Sequence, residues 1–198
     1  MNDLILASAS PIRSSLLQRS GIPHTVEPAR VDEAALKAAL LSEGASPRDI
    51  ADALAEMKAR KIAERHTEAR VLGADQVLVL KDRLIDKAAD LAEARETLLS
   101  LRGTRHTLLS AVVIYEGARP VWRHIGKADL TMRPFSDAFL DAYIERHGDA
   151  LLATVGCYKL EEDGPTLFTS VTGDYFSVLG LPLLEVLAFL RTRRIGET

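Results

Sequence analysis

The 198-residue chain is 47% hydrophobic and 27% charged, with a formal net charge of -3, which suits one soluble α/β domain long enough to bury a sizeable core. Basic and acidic residues are interspersed, and no basic stripe with interleaved aromatics occurs, so the composition argues against a polymeric nucleic-acid partner. The single cysteine, Cys157, excludes an intrachain disulfide; without a basic n-region or an uninterrupted apolar run of membrane length, a cytoplasmic protein with no membrane attachment is expected.

The apolar run Leu4 to Ala7 reads as a strand that stops at small residues, and a helix begins at once with Ser10 as N-cap and Pro11 at its first position. Such a junction leaves unpaired backbone N–H groups and the positive end of a helix dipole at a strand's end. With Ser8, Ser10 and Arg13 nearby it suits an anion, most readily a phosphate, although junctions that merely cap a helix are commoner. Gly21-Ile22-Pro23 ends the helix, His24 to Val31 reads as extended, and Ala34 to Leu41 as a short helix behind Asp32-Glu33. Ser46 can cap a longer helix running to about His66, with Ile50, Leu54, Met57 and Ile62 as an apolar stripe and Lys58 and Lys61 beside it or at its edge.

Val71 to Leu80 is an apolar run of strand length and reads as a central buried strand. Lys81-Asp82-Arg83 turns the chain into a short return at Leu84-Ile85, and Asp90 caps a helix from Leu91 to Leu101 that Gly103 ends. Strands are expected over His106 to Tyr115, Val121 to Met132 and Leu167 to Val171, with a helix at about Ser136 to Glu145 burying Phe139, Leu140, Tyr143 and Ile144. Gly173 to Gly180 reads as polar and extended, and Leu183 to Arg193 as a closing helix with basic residues at its negative end. No repeat, low-complexity stretch or linker interrupts residues 1–198, so a single domain is expected.

Asp75 is the residue that asks most for an explanation, because a carboxylate inside GADQVLVL is costly to bury unpaired. Gly73 ahead of it signals a bulge or a close backbone approach. On this residue alone, a structural Asp bonded to a neighbouring loop accounts for the pattern as well as a catalytic one. Asp32 and Glu33 ordinarily serve as favourable charges at a helix start; near Asp75, one of them could supply oxygens for Mg²⁺. Lys58 and Lys87 read as surface lysines unless the fold brings them to the phosphates that Arg13 would hold. No Walker loop, dinucleotide fingerprint, zinc spacing or nucleophile elbow is present, and the five histidines lack ligand spacing. Cys157 reads as a small buried hydrophobe. Cations, carboxylates and one helix N-terminus together suit metal-assisted phosphate chemistry with water as nucleophile.

Taken end to end, the chain resembles the Maf family, the septum-formation-inhibitor-like nucleoside triphosphate pyrophosphatases. The opening LILASASPIRSSLLQRSGI, VDE at Val31 to Glu33, MKA around Lys58, LGADQV around Asp75, Lys87, RGTRH, VGCYKLEE and GDYFSVLGLPL follow in family order. The resemblance implies an α/β fold with a long twisted mixed sheet flanked by helices, in two lobes around a deep cleft. It also implies hydrolysis of a nucleoside triphosphate between the α and β phosphates with a divalent metal, Mg²⁺ first and Mn²⁺ second. By position, Asp75 matches the proposed general base, Ser8, Arg13, Lys58 and Lys87 the phosphate-binding groups, and Glu33 an acidic residue of the metal or catalytic region. Ser10 joins the phosphate set, Glu33 and Asp75 are the candidate metal ligands, and the family often forms homodimers.

The same resemblance bears on the base. Pyrimidine-preferring members, acting on dTTP and UTP, usually carry Arg, Thr and Gln at the positions of Ile12, Gln76 and Glu161, whereas 7-methyl-GTP members carry Trp, Gln and Glu. Two of the three positions here follow the second pattern, and a carboxylate such as Glu161 can accept both N–H groups of a guanine edge. Ile12 departs from both patterns and offers no aromatic face. Ala88, Ser110-Ala111 and Val155 also depart from family usage without removing an ionisable group. Two alternatives stand beside the methylated-nucleotide reading: a pyrimidine-preferring pyrophosphatase, and a nucleotide sensor acting in septum-formation arrest.

Overall fold

The computed structural model of the chain describes residues 4–196, and among these residues seven strands and seven α-helices make a mixed α/β architecture. The strands are β1 (Leu4–Leu6), β2 (Thr25–Val26), β3 (Arg70–Leu80), β4 (Arg83–Ile85), β5 (Arg105–Glu116), β6 (Arg119–Met132) and β7 (Phe168–Gly173). The helices are α1 (Pro11–Arg19), α2 (Glu33–Ser42), α3 (Pro47–Ala63), α4 (Leu91–Leu101), α5 (Asp137–His147), α6 (Tyr175–Val178) and α7 (Leu183–Thr192). One sheet runs in the order β2-β1-β3-β5-β6-β7, with β4 paired to β3.

Parallel neighbours need long crossovers, and the helices supply them. β1 pairs in parallel with β2 through the α1 crossover and with β3, where Leu6 lies opposite Leu72. The continuous apolar character of β1 and β3 follows: Leu4, Ile5, Leu6, Val71, Leu72 and Leu78 are all buried. β3 and β4 instead form a hairpin with Leu80 opposite Arg83. Its two loop residues, Lys81 and Asp82, have φ of 49° and 65°, the left-handed pair that matches strand twist in a two-residue turn.

Cap chemistry sets several helix starts. Ser46 and Asp90 accept the backbone N–H of Asp49 and Glu93, as their positions ahead of apolar-periodic segments predict, and Ser136, expected as the first helical residue, is instead the cap that accepts from Phe139. Two expectations fail. The extended reading of His24 to Val31 reduces to the two residues of β2, and the supposedly extended Gly173 to Gly180 contains α6, because the Asp174 carboxylate accepts from the N–H groups of Phe176 and Ser177 at 3.3 and 2.7 Å and starts a turn of helix. Short 3₁₀ turns at Gly148–Ala153 and Gly164–Leu167 carry no sequence signal of comparable strength.

The contacts fall into two compact units. One comprises the chain up to Gln76, Ser110–Gly126 and the chain from Gly180 on; its buried residues include Leu17, Ile50, Leu54, Ile62 and Val186. The other comprises Val77–Leu109 and Lys127–Leu179, with Leu98, Leu101, Leu130, Leu140, Cys157 and Tyr158 in one apolar cluster. Among the described residues no helix is long and apolar enough to cross a membrane.

Candidate active site

Residues four apart on one helix share a face, and Lys58 sits in the series Ile50, Leu54, Lys58, Ile62. Those three apolar residues are fully buried, and Lys58 is only 9% exposed, so it lies within the buried stripe of α3 rather than at its edge; Met57 takes the half-buried flank instead. A buried ammonium requires counter-charge. Lys58 Nζ donates to Asp75 Oδ1 at 2.6 Å and lies 2.9 Å from Glu33 Oε1.

The backbone explains how α3 reaches the strand that carries Asp75. Gly73 and Asp75 are two apart on β3 and therefore share a face. A Cβ on Gly73 would lie 2.3 Å from the carbonyl oxygen of Ala55 and 2.5 Å from the amide nitrogen of Ala59. The helix backbone thus rests directly on the strand, and one turn along it Lys58 meets Asp75. Of the two sequence readings of Gly73, close approach is the one observed. Glu33 arrives from the first position of α2, whose N-cap Asp32 accepts from the Ala35 N–H at 2.9 Å. Its side chain is 49% exposed, so the ion pair faces solvent on that side.

Arg13 completes a group of two cations and two carboxylates. Burial pulls its guanidinium below the usual arginine range, and the charges of Asp75 and Glu33 oppose that fall. Nε donates to the Gly180 carbonyl at 2.8 Å, and Nη1 donates to Ser8 Oγ at 3.0 Å and to the Ala74 carbonyl at 2.9 Å. Three donors are therefore committed to the protein, and Nη2 is the nitrogen through which Arg13 can reach a phosphate. Gly180 has φ +91°, and a Cβ there would stand 3.3 Å from both Nε and Nη2 of Arg13. A glycine is needed for this contact. Its partnership with Arg13, 167 residues away, has no local sequence signal.

At the strand–helix junction Ser10 occupies the cap position with extended backbone, but its hydroxyl caps nothing; its N–H donates to Ser8 Oγ at 3.3 Å. The first turn of α1 therefore keeps its N–H groups free of side-chain capping, which suits an anion better than the capped junction expected. Ile12 is half-buried in that turn. Gln76, next to Asp75 on β3, donates from Nε2 to Ser110 Oγ at 2.9 Å.

The first unit thus brings together Ser8, Arg13, Glu33, Lys58 and Asp75. Lys87 and Glu161 belong to the second unit and are exposed. Lys87 precedes the buried Ala88, whose N–H donates to the Cys157 sulfur; burial pushes that thiol up to about 11, in keeping with the reading of Cys157 as an inert buried residue. Glu161 sits in a turn where Glu162 pairs with Lys159 at 3.0 Å and the N–H of Gly164 closes onto the Lys159 carbonyl.

Glu33 and Asp75 both point at one cation, the Lys58 ammonium, so their oxygens converge. That donor set fits a hard divalent ion that brings water and phosphate oxygens as its other ligands. It would not complete a site built from protein ligands alone, since no group of three or more His, Cys, Asp or Glu residues converges among the described residues.

The family model described as Maf-like protein matches residues 3–193. A Ruegeria pomeroyi protein named nucleoside triphosphate pyrophosphatase is 53% identical over 195 residues, 98% of each chain. A Caulobacter vibrioides protein of the same name is 54% identical over 191 residues, 96% of each chain. A Rhizobium meliloti protein named 7-methyl-GTP pyrophosphatase is 46% identical over 188 residues, 95% of this chain and 94% of its own.

Proposed function

The chain belongs to the Maf family, and from that premise we propose that it is a nucleoside triphosphate pyrophosphatase, hydrolysing the α–β phosphate bond to release the monophosphate and pyrophosphate. The observation that carries the reading is the buried group of Arg13, Lys58 and Asp75, with the solvent-facing Glu33 against it, built beside an uncapped helix N-terminus. The names of relatives such as the Ruegeria pomeroyi protein supply the reaction class.

The geometry supports the following roles. The first-turn N–H groups of α1, with the Ser8 and Ser10 hydroxyls and Arg13 Nη2, bind phosphate oxygens. Asp75 gives Oδ1 to Lys58, and Oδ2 takes the proton of the attacking water. Lys58 pairs with Asp75 and lends its remaining N–H groups to charge developing on the phosphate. For Lys87 the family resemblance implies a phosphate-neutralising role. Glu33 and Asp75 would hold a divalent cation, Mg²⁺ first, together with substrate phosphate; when bound, it polarises the phosphoryl group and lowers the pKa of water. The preferred base is 7-methylguanine, supported by Gln76 and Glu161 and by the name of the Rhizobium meliloti relative. Such a protein works on small nucleotides in the cytoplasm.

The test is product identification. Purified protein is incubated with Mg²⁺ and 7-methyl-GTP, GTP, UTP or dTTP, with and without a chelator. Pyrophosphate plus monophosphate, lost on chelation and nearly abolished in Asp75→Asn, is the expected result, with 7-methyl-GTP turned over fastest. Orthophosphate as product, or binding without turnover as a sensor would show, overturns the reaction; preference for UTP and dTTP overturns only the base.

A further inference from the structure

β5 runs through the sheet as an almost unbroken apolar series, Leu108, Leu109, Ala111, Val112, Val113 and Ile114, each no more than 9% exposed. Ser110 interrupts it with a hydroxyl at 0% exposure. An alanine would fill that place with little change in volume, so the hydroxyl needs its own account: buried without partners, it would cost free energy that a methyl would not. A partner is on the neighbouring strand. Ser110 Oγ accepts from Gln76 Nε2 at 2.9 Å, across 34 residues of chain.

Gln76 is half-buried and follows Asp75 directly, so its carboxamide lies one residue from the carboxylate that receives Lys58. A carboxamide has a donor end and an acceptor end of nearly equal size, and a site that reads a base edge with it must fix which end faces which way. Torsions ending in a planar group are broad and prefer two orientations weakly, so the side chain alone does not set this. A hydrogen bond to a buried hydroxyl restrains it, and in this structure the hydroxyl receives the Nε2 end.

We infer that Ser110 is a specificity-positioning residue that acts through Gln76: by accepting from Nε2 it fixes the orientation of the carboxamide, and with it the hydrogen-bonding pattern that the nucleobase meets. The inference rests on the base-reading role proposed above for Gln76. Ser110 itself touches no substrate in this account. Its loss therefore alters the ratio between bases and leaves the phosphate chemistry of Asp75 and Lys58 in place.

The experiment is a double-mutant cycle on base selectivity. The kcat/KM for 7-methyl-GTP and for UTP is measured in the wild type, Ser110→Ala, Ser110→Thr, Gln76→Ala and the Ser110→Ala/Gln76→Ala pair. Ser110→Ala is expected to shrink the ratio between the two substrates about fivefold, the scale of one hydrogen bond, with the hydroxyl-bearing Ser110→Thr near wild type. In the Gln76→Ala background Ser110→Ala has no further effect on the ratio. Should Ser110→Ala fail to fold, Ser110→Cys, similar in volume and a weak acceptor, gives the same reading. An unchanged ratio in Ser110→Ala, or an equal shift with and without Gln76, overturns the inference while the base-reading role of Gln76 survives. An unchanged ratio in Gln76→Ala removes that role and the inference with it.

Discussion

Lys58 shows how one residue can be both structural and chemical. Its ammonium sits 2.6 Å from Asp75 and 2.9 Å from Glu33, but the two carboxylates are not equivalent. The Lys58 and Asp75 side chains are 11% and 10% exposed, whereas that of Glu33 is 49% exposed and screened by solvent. Removing the ammonium by Lys58→Met therefore leaves Asp75 as a buried charge without its ion-pair partner. The expected cost is roughly 3 kcal/mol in urea unfolding at neutral pH, the range found when one member of a buried pair is deleted. Adding Asp75→Asn to Lys58→Met should recover a large part of that loss, because the stranded charge goes with it; Glu33→Gln alone should cost well under about 1 kcal/mol. A double variant no more stable than Lys58→Met would show that the pair does not balance as drawn. All variants lacking Asp75 or Lys58 are expected to lose turnover, so stability and activity are read separately.

At the level of elements, the sequence was most legible where a side chain marks a boundary. Asp90 before LAEARETLLSL and Ser46 before PRDIADALAEM each accept a helix N–H as expected, and the Leu91 and Leu101 bounds of α4 stand. It was least legible where the partner is remote. Arg13 is identifiable beside a phosphate-like junction, yet its donors end on carbonyls 61 and 167 residues away, and no local pattern announces that. The charge of Lys58 weighs against burial, whereas its spacing from Leu54 and Ile62 puts it inside the stripe; the carboxylates that decide between the two come from other elements. The polar run Gly173 to Gly180 hides a cap, Asp174, because the helix it starts is only four residues long. Gly73 joins local and remote information, since the glycine is visible in sequence but the α3 backbone against it is not. Its substitution tests the packing directly. In Gly73→Ala the new methyl would meet backbone atoms at 2.3 and 2.5 Å that no side-chain rotation can clear, so α3 must move off β3. A loss of roughly 3 kcal/mol is expected from overpacking at such a site. A lowered kcat should accompany it in the fraction that stays folded, because Lys58 moves away from Asp75. Wild-type stability in this variant would mean that α3 and β3 are not in backbone contact.

For the whole molecule, the pH dependence of folding separates buried chemistry from surface charge. His106 on β5 is 2% exposed, and its Nε2 lies 2.8 Å from the hydroxyl of Tyr158, itself in the apolar cluster of the second unit. Its Nδ1 is buried and has no hydrogen-bond partner among the described residues, so protonating the ring would place a charge and a second donor where neither is satisfied. Burial accordingly lowers its pKa from 6.5 to about 4, against the opposing charge of Asp129. Because the folded value is the lower one, the unfolded chain takes up a proton between these two values and the folded chain does not. The associated stability is fully present above 6.5 and is lost as pH falls towards 4. The carboxylates held low by their partners, Glu116 by Arg70 and Arg193 among them, lose their contribution as pH falls through the carboxylate range below that window. A drop from neutral pH to about pH 4.5 should therefore cost the wild type about 2 kcal/mol through His106 alone. His106→Gln keeps a polar partner for Tyr158 but cannot titrate. Urea unfolding of both proteins at the two pH values should show the wild type losing about 2 kcal/mol more than the variant. Equal losses would mean that His106 is protonated as readily inside the fold as outside it, and that the His106–Tyr158 pair is open to water.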